Sequence, residues 1–351
     1  MKFFQQPKLS FKLVKRLIFF FLVFYIGAVL LTPHLSFLRN RSIENQITYL
    51  SELLNSGYDD ELQQQYPEGK MFSNALLSLS IIEYCDKRGI SDKAMAEQVD
   101  SCILRILSTS STSPFPTYIT PKFGMFYNGW TNWVLTSYQR SSLFSKSDIP
   151  ERVNTFQEEI EERITSALDE ELQPLMSYAG AYWPADNYIG IMSISDTALQ
   201  SKWMAIMDSA ASHPTGLVHH FGGDSSIVRG SSSAMILYSL SYINQERALR
   251  QNNIFDSLFQ RSFMGANLVK EHEDGSGIED VDSGPLLFGY GASATIMNIK
   301  TQASLGMPGA RATWGWLNLM GVPINLWSHK YYLFKKEPMM DIFMLWSCVS
   351  L

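Results

Sequence analysis

Cysteine is scarce in this 351-residue chain: Cys85, Cys102 and Cys348 are all it has. None falls in a CxxC or other zinc-type spacing, which excludes a thiolate metal site. The odd count leaves at least one thiol free within a single chain, and the helical surroundings favour three buried thiols over a disulfide. Charge is also thin, at 18% of residues, below the usual quarter. No Gly-rich phosphate loop follows a strand, and there is no GxSxG elbow or HExxH zinc helix. The acids around Asp274–Asp280 lack the EF-hand ligand pattern and its closing Glu. No metal and no cofactor is therefore expected. Few segments alternate with period two, so little sheet is expected. No repeat of 34 or 40 residues marks a regular solenoid.

What is present is apolar and aromatic. Hydrophobic residues make up 46% and aromatics 13%, ample for a large core and unlike a disordered chain. The net charge of -6 is uneven. Residues 1–41 hold seven basic side chains and no acid, leaving 21 basic against 34 acidic residues in the remainder. An acidic body excludes nucleic acid as a partner, because phosphates call for a basic surface.

Leu17 to Leu38 carries no formal charge over 22 residues, long enough for a spanning helix. Lys12, Lys15 and Arg16 precede it, placing the N-terminus in the cytoplasm. No Ala-x-Ala cleavage site follows, so the segment reads as an uncleaved anchor. The expected organisation is a basic cytoplasmic tail (1–16), a transmembrane anchor (17–38), a juxtamembrane helix and linker (39–59) and a helical domain (60–351). The protein is then a single-pass cell inner membrane protein, with that membrane as its partner and its body extracytoplasmic.

Apolar spacing predicts helices over 43–54, 72–84, 94–107, 126–139, 151–171, 186–204, 232–241, 253–263, 285–305 and 310–319, with a last helix after Pro338. Lys87-Arg-Gly-Ile-Ser91 should break the second from the third, and short hairpins are allowed near 219–226. Paired helices with short joints suggest an all-α fold. The preferred architecture is an (α/α) toroid, or barrel of helical hairpins, preceded by one transmembrane helix; an open superhelix is the alternative. In a toroid the inner helices run parallel and their N-termini share one face.

Three polar motifs sit at predicted helix starts, where unpaired N–H groups and a partial positive charge gather. In Tyr182-Trp-Pro-Ala-Asp186, Pro184 suits the first helical position and Asp186 either caps or offers a carboxylate beside the aromatic wall of Tyr182 and Trp183. In Arg229-Gly-Ser-Ser-Ser233, Ser231 or Ser232 suits a cap, while the Arg229 guanidinium suits a carboxylate such as Asp280 or Asp282. Glu279-Asp-Val-Asp-Ser-Gly-Pro285 has more acids than a cap needs. Asp280 and Asp282 point the same way if the segment is extended, and close like charges raise one pKa and so create a proton donor. A solvated acidic loop is the plain alternative. Adjacent His219 and His220 point opposite ways on an extended segment, so at most one, taken as His220, lines a cavity. Tyr127 and Trp130 add aromatic lining or pack in the core, and Glu68 is one further acid.

Taken in order, these motifs resemble those of a group of uncharacterised bacterial membrane-anchored proteins of the six-hairpin (α/α) toroid type, distantly similar to linalool dehydratase/isomerase-like proteins. The resemblance covers about residues 60–349. It implies the toroid and a pocket at the inner-helix N-termini. In linalool-type chemistry the acid–base groups include cysteines.

Three functions follow as expectations. The first is an acid/base enzyme on a glycan or other polyhydroxylated substrate, similar to a glycoside hydrolase. Asp186, Asp280 and Asp282 are its catalytic candidates, and Tyr127, Trp130, Tyr182, Trp183, His220 and Arg229 its substrate-binding candidates. The second is a lyase or isomerase on an apolar alcohol. The third is a non-catalytic glycan-binding or scaffold protein.

Overall fold

A computed structural model describes residues 11–275, 279, 283, 286–333 and 338–351. The chain is mostly helical, with helix over 67% of it. The helices are α1 (Phe11–Leu31), α2 (Ser36–Leu53), α3 (Asp59–Gln65), α4 (Gly69–Arg88), α5 (Lys93–Ile106), α6 (Thr109–Thr112), α7 (Gly124–Arg140) and α8 (Pro150–Glu171). They continue as α9 (Pro184–Ser193), α10 (Thr197–Ala210), α11 (Gly230–Ile243), α12 (Gln245–Leu258), α13 (Ala292–Ser304), α14 (Ala310–Met320) and α15 (Pro338–Cys348). Three two-stranded antiparallel hairpins interrupt them: β1 (Gln260–Phe263) with β2 (Ala266–Val269), β3 (Leu286–Leu287) with β4 (Tyr290–Gly291), and β5 (Pro323–Leu326) with β6 (His329–Tyr332).

Local chemistry explains the boundaries. Asp92 caps α5 by accepting from the Met95 N–H, and Asn244 caps α12 through Arg247. Pro150 and Pro184 occupy first helical positions. Gly89, left-handed at φ 64°, ends α4 at the predicted break. The single helix expected over 186–204 is two helices. Asp196 accepts from the N–H groups of Ala198 and Leu199 and starts a new one. The helix expected from Pro285 begins only at Ala292, because a β-hairpin precedes it. The anchor also differs in extent: α1 ends at Leu31, a turn containing Pro33 follows, and residues 36–38 belong to α2.

The helices sort into two kinds. α4, α7, α11 and α13 are buried around most of their circumference, whereas α5, α8, α10 and α12 are buried on one face only. Helix α4 packs on α7, α7 on α9, α9 on α11, α11 on α13, α13 on α15 and α15 on α4. Against these lie α5 on α4, α8 on α7, α10 on α9, α12 on α11, α14 on α13 and α2 on α15. Buried polar contacts tie neighbours together. Asn132 of α7 donates to Ser193 Oγ of α9 (3.0 Å), and Thr301 of α13 donates to the Ala234 carbonyl of α11 (2.7 Å).

Aromatic rings from α4, α7, α11 and α15 fill the middle. Phe72 meets Trp130 at 4.8 Å between centroids, Trp130 meets Trp346 at 6.0 Å, and Trp346 meets Tyr238 at 5.8 Å. Edge-to-face pairs of this kind add to the burial of large apolar areas.

Among the described residues one helix is long and apolar enough to cross a membrane, Lys12–Leu31. Its first two turns of pure hydrocarbon stand bare, while Tyr25–Leu30 is packed against the body, chiefly on α14.

Candidate functional site

The segments leading into α9, α11 and α13 meet. The segment before α9 is folded back by Asn187, which is fully buried. Its Oδ1 accepts from Leu175 N (3.0 Å) and Trp203 Nε1 (3.1 Å), and its Nδ2 donates to the carbonyls of Leu175 (3.0 Å) and Trp183 (3.2 Å). This clamp sets Trp183 at the mouth of α9, where it meets Phe221 at 5.1 Å and Tyr178 at 5.5 Å. The Tyr178 hydroxyl donates to Glu68 Oε1 (2.7 Å), just before α4. Tyr182 lies across Gly222, where any Cβ would stand 2.2 Å from its ring. Only glycine admits that approach.

Next to Phe221 the two histidines diverge, as expected for adjacent residues of extended chain. His219 turns to the Ala210 carbonyl (3.1 Å). His220 turns to the start of α11, with Nδ1 2.6 Å from Ser232 Oγ and Nε2 3.3 Å from Arg229 Nη1. A guanidinium can only donate, so Nε2 accepts and Nδ1–H donates to the serine. That is the reverse of a serine nucleophile activated by histidine. Ser232 is an anchor for the ring, and neither Ser231 nor Ser232 caps α11, contrary to the sequence expectation.

Arg229 Nε donates to Glu271 Oε1 (2.7 Å), and Ser231 Oγ donates to the same oxygen (2.6 Å). Among the described residues Glu271 is the carboxylate paired with Arg229; Asp280 and Asp282, the partners expected from sequence, lie outside the described residues. Glu271 is fully buried. Its backbone carbonyl accepts from Gly230 N (2.9 Å) at the start of α11. Its Oε2 lies beside Gly291, the residue before α13, and has no hydrogen-bond partner among the described residues. The carboxylate thus sits between two helix N-termini, where a negative charge is favoured. An unpartnered buried oxygen is nonetheless costly. Gly230 is required here, since a Cβ would stand 2.0 Å from the Lys270 carbonyl.

The predicted residues divide accordingly. Tyr182, Trp183, His220 and Arg229 lie along one band of contacts running Glu68, Tyr178, Trp183, Phe221, His220, Arg229, Glu271. Asp186 is buried in the first turn of α9, one turn beyond Trp183. Tyr127 is placed elsewhere: it packs against Phe115 and Phe123, and its hydroxyl donates to the Ile106 carbonyl of α5 (3.4 Å). Trp130 stands in the closed aromatic core, against Phe72 and Trp346. Of the acidic motif, Glu279 accepts from Leu286 N (3.0 Å) and serves the β3–β4 hairpin.

Glu271 and Tyr178 were not singled out from sequence. The signal for Glu271 is faint: Lys270-Glu-His-Glu-Asp274 follows a short apolar strand, and nothing local tells which acid turns inward. The three cysteines are free and buried. Burial pushes the Cys85 and Cys102 thiols up to about 12 and Cys348 up to about 11. Comparison with protein-family models and with curated proteins returns no match.

Proposed function

We propose that the protein is a membrane-anchored (α/α) toroid, with its body outside the cytoplasmic membrane, acting as an acid/base enzyme on a glycan or other polyhydroxylated substrate. The contact order that runs from α4 through α7, α9, α11, α13 and α15 back to α4 supports the toroid over an open superhelix. Five basic residues before the apolar run that starts at Leu17, against two (Arg39 and Arg41) after it, support a cytoplasmic N-terminus.

One observation carries the enzymatic reading: a fully buried carboxylate, Glu271, is held on one oxygen by Arg229 and Ser231 while its other oxygen has no partner among the described residues. Such an oxygen is able to accept a hydrogen bond from a substrate hydroxyl. Trp183, Phe221 and Tyr178 supply ring faces of the kind that stack on sugars. Asp186 and an acid of the Asp280–Asp282 segment are the proposed proton-transfer pair. In hydrolysis one carboxyl protonates the glycosidic oxygen and the other attacks or activates water, at a separation of ~5–5.5 Å for retention or ~6.5–9.5 Å for inversion. The raised thiol pKa values weigh against the lyase or isomerase reading, since buried neutral thiols are poor acid–base groups at neutral pH.

The test is a panel of cell-surface oligosaccharides offered to the full-length protein in micelles, scored by release of new reducing ends. Asp186→Asn and Glu271→Gln should stay folded and lose turnover. Turnover by neither the wild type nor its variants, with saturable binding that Glu271→Gln removes, would reassign the site to glycan recognition alone.

A further inference from the structure

Two β-hairpin tips on the α1 side of the body are apolar and conformationally strained. At the β5–β6 tip, Trp327 has φ 58° and is 86% exposed; at the β1–β2 tip, Met264 has φ 47° and is 67% exposed. Left-handed backbone is uncommon outside Gly and Asn, and bulky side chains there are strained. Exposed tryptophan on a strained turn gains nothing in a purely aqueous protein. Leu326, Leu333, Met320 and Phe263 extend the same exposed apolar surface.

These tips share a neighbour with the anchor. Helix α14 packs along α1, with Pro33 against Gly315. On α14, Trp316 donates to the Met264 carbonyl (3.3 Å), and Met320 leads directly into β5. The Tyr25 hydroxyl of α1 donates to the Pro323 carbonyl of β5 (3.1 Å). The tips therefore flank the segment in which α1 lies against the body.

Length decides what this surface faces. The bare apolar part of α1 runs from Leu17 to Phe24, about 12 Å at helical rise. A bilayer core is about 30 Å thick. From Tyr25 onward the helix that should complete the span is packed on α14. Whatever surrounds that last part of α1 in a bilayer must also surround the protein lying against it.

Building on the membrane-anchor reading, we infer that the β1–β2 and β5–β6 tips, with the exposed edge of α14, are a second membrane contact that rests in the interfacial layer and fixes the body's tilt. Tryptophan suits that layer, with one apolar face and one polar N–H.

The test uses full-length protein in phosphatidylglycerol/phosphatidylethanolamine nanodiscs with a nitroxide at single introduced cysteines. Trp327→Cys and Met264→Cys report the tips, Phe20→Cys reports the anchor and Tyr118→Cys reports the aqueous body. The native thiols are buried, and unlabelled wild type checks that they stay silent. Positions 327, 264 and 20 should collide with oxygen and show several-fold lower collision with an aqueous nickel chelate than position 118. Nickel access at 327 and 264 equal to that at 118, with position 20 still shielded, overturns the second contact and leaves the anchor intact. Nickel access at 20 as well overturns both readings. Spin–spin broadening at 327 assigns the surface to a second copy and also overturns the inference.

Discussion

Two carboxylates, partly buried Glu83 near the C-terminal ends of α4 and α13 and fully buried Glu271 at the N-terminal ends of α11 and α13, are served differently. Near the C-terminal ends, Glu83 of α4 takes Lys300 of α13 on one oxygen, and Ser350 (2.8 Å) and Lys87 (2.9 Å) on the other. Lys300 also donates to Ser350 Oγ (2.7 Å) and stands over the Trp346 ring at 4.6 Å. Every polar atom of that pair is engaged. At the N-terminal ends Glu271 has one oxygen accepting two hydrogen bonds and the other without a partner among the described residues. The first arrangement is satisfied within the protein, and the second is the one we propose meets a ligand.

The difference is sharpest in what removal does. Lys300→Met removes the buried partner of Glu83, which keeps only Lys87 and Ser350, and we expect a loss of ~2–3 kcal/mol, read as a fall in thermal or denaturant midpoint. Turnover per folded molecule should not change. Gly230→Ala forces α11 from the Lys270 carbonyl and should lower turnover at least tenfold while secondary structure, followed by circular dichroism, persists. Glu271→Gln keeps an acceptor for Arg229 and Ser231, so its stability loss should be only ~1–2 kcal/mol, with turnover gone.

Acid titration separates the two ends further. Burial would raise the Glu83 carboxyl, but Lys300 and Lys87 outweigh it and hold it at about 2, against 4.5 ordinarily. A depressed folded pKa gives stability that is present above the unfolded value and is lost as pH falls through the folded one. The melting temperature should therefore fall between pH 4.5 and 2, and Glu83→Gln should flatten that slope. The smallest expected effect is Trp183→Phe, which keeps an aromatic face against Phe221 and should weaken substrate binding by a few-fold, measured as a rise in KM at constant kcat.

The helices were legible because their information is local. The spacing in α4, the cap at Asp92 and the stop at Gly89 each act within a few residues. The split between α9 and α10 was missed because Ile191-Met-Ser-Ile194 continues an apolar pattern, and only the Asp196 side chain turning onto Ala198 and Leu199 breaks it. The β1–β2 and β5–β6 hairpins were missed because their turns place Met264 and Trp327, not glycine or asparagine, at the first left-handed position.

The band of contacts around Trp183, His220 and Arg229 was legible in part. Trp183, Tyr182, His220 and Arg229 could be picked from motifs at helix starts. Tyr127 and Trp130 share a helix start of the same kind, yet the burial of α7 sends one to α5 and the other to the aromatic core. The pairing of Glu271 with Arg229 is made by β2 and the start of α11 coming together, which no local pattern encodes.

The measurement that bears most directly on the central claim is turnover at matched folded fraction for two isosteric variants, Glu271→Gln and Glu83→Gln, on any oligosaccharide the wild type cleaves. The account predicts no turnover for the first and wild-type turnover for the second. Full activity in Glu271→Gln, or a loss confined to Glu83→Gln, would contradict it.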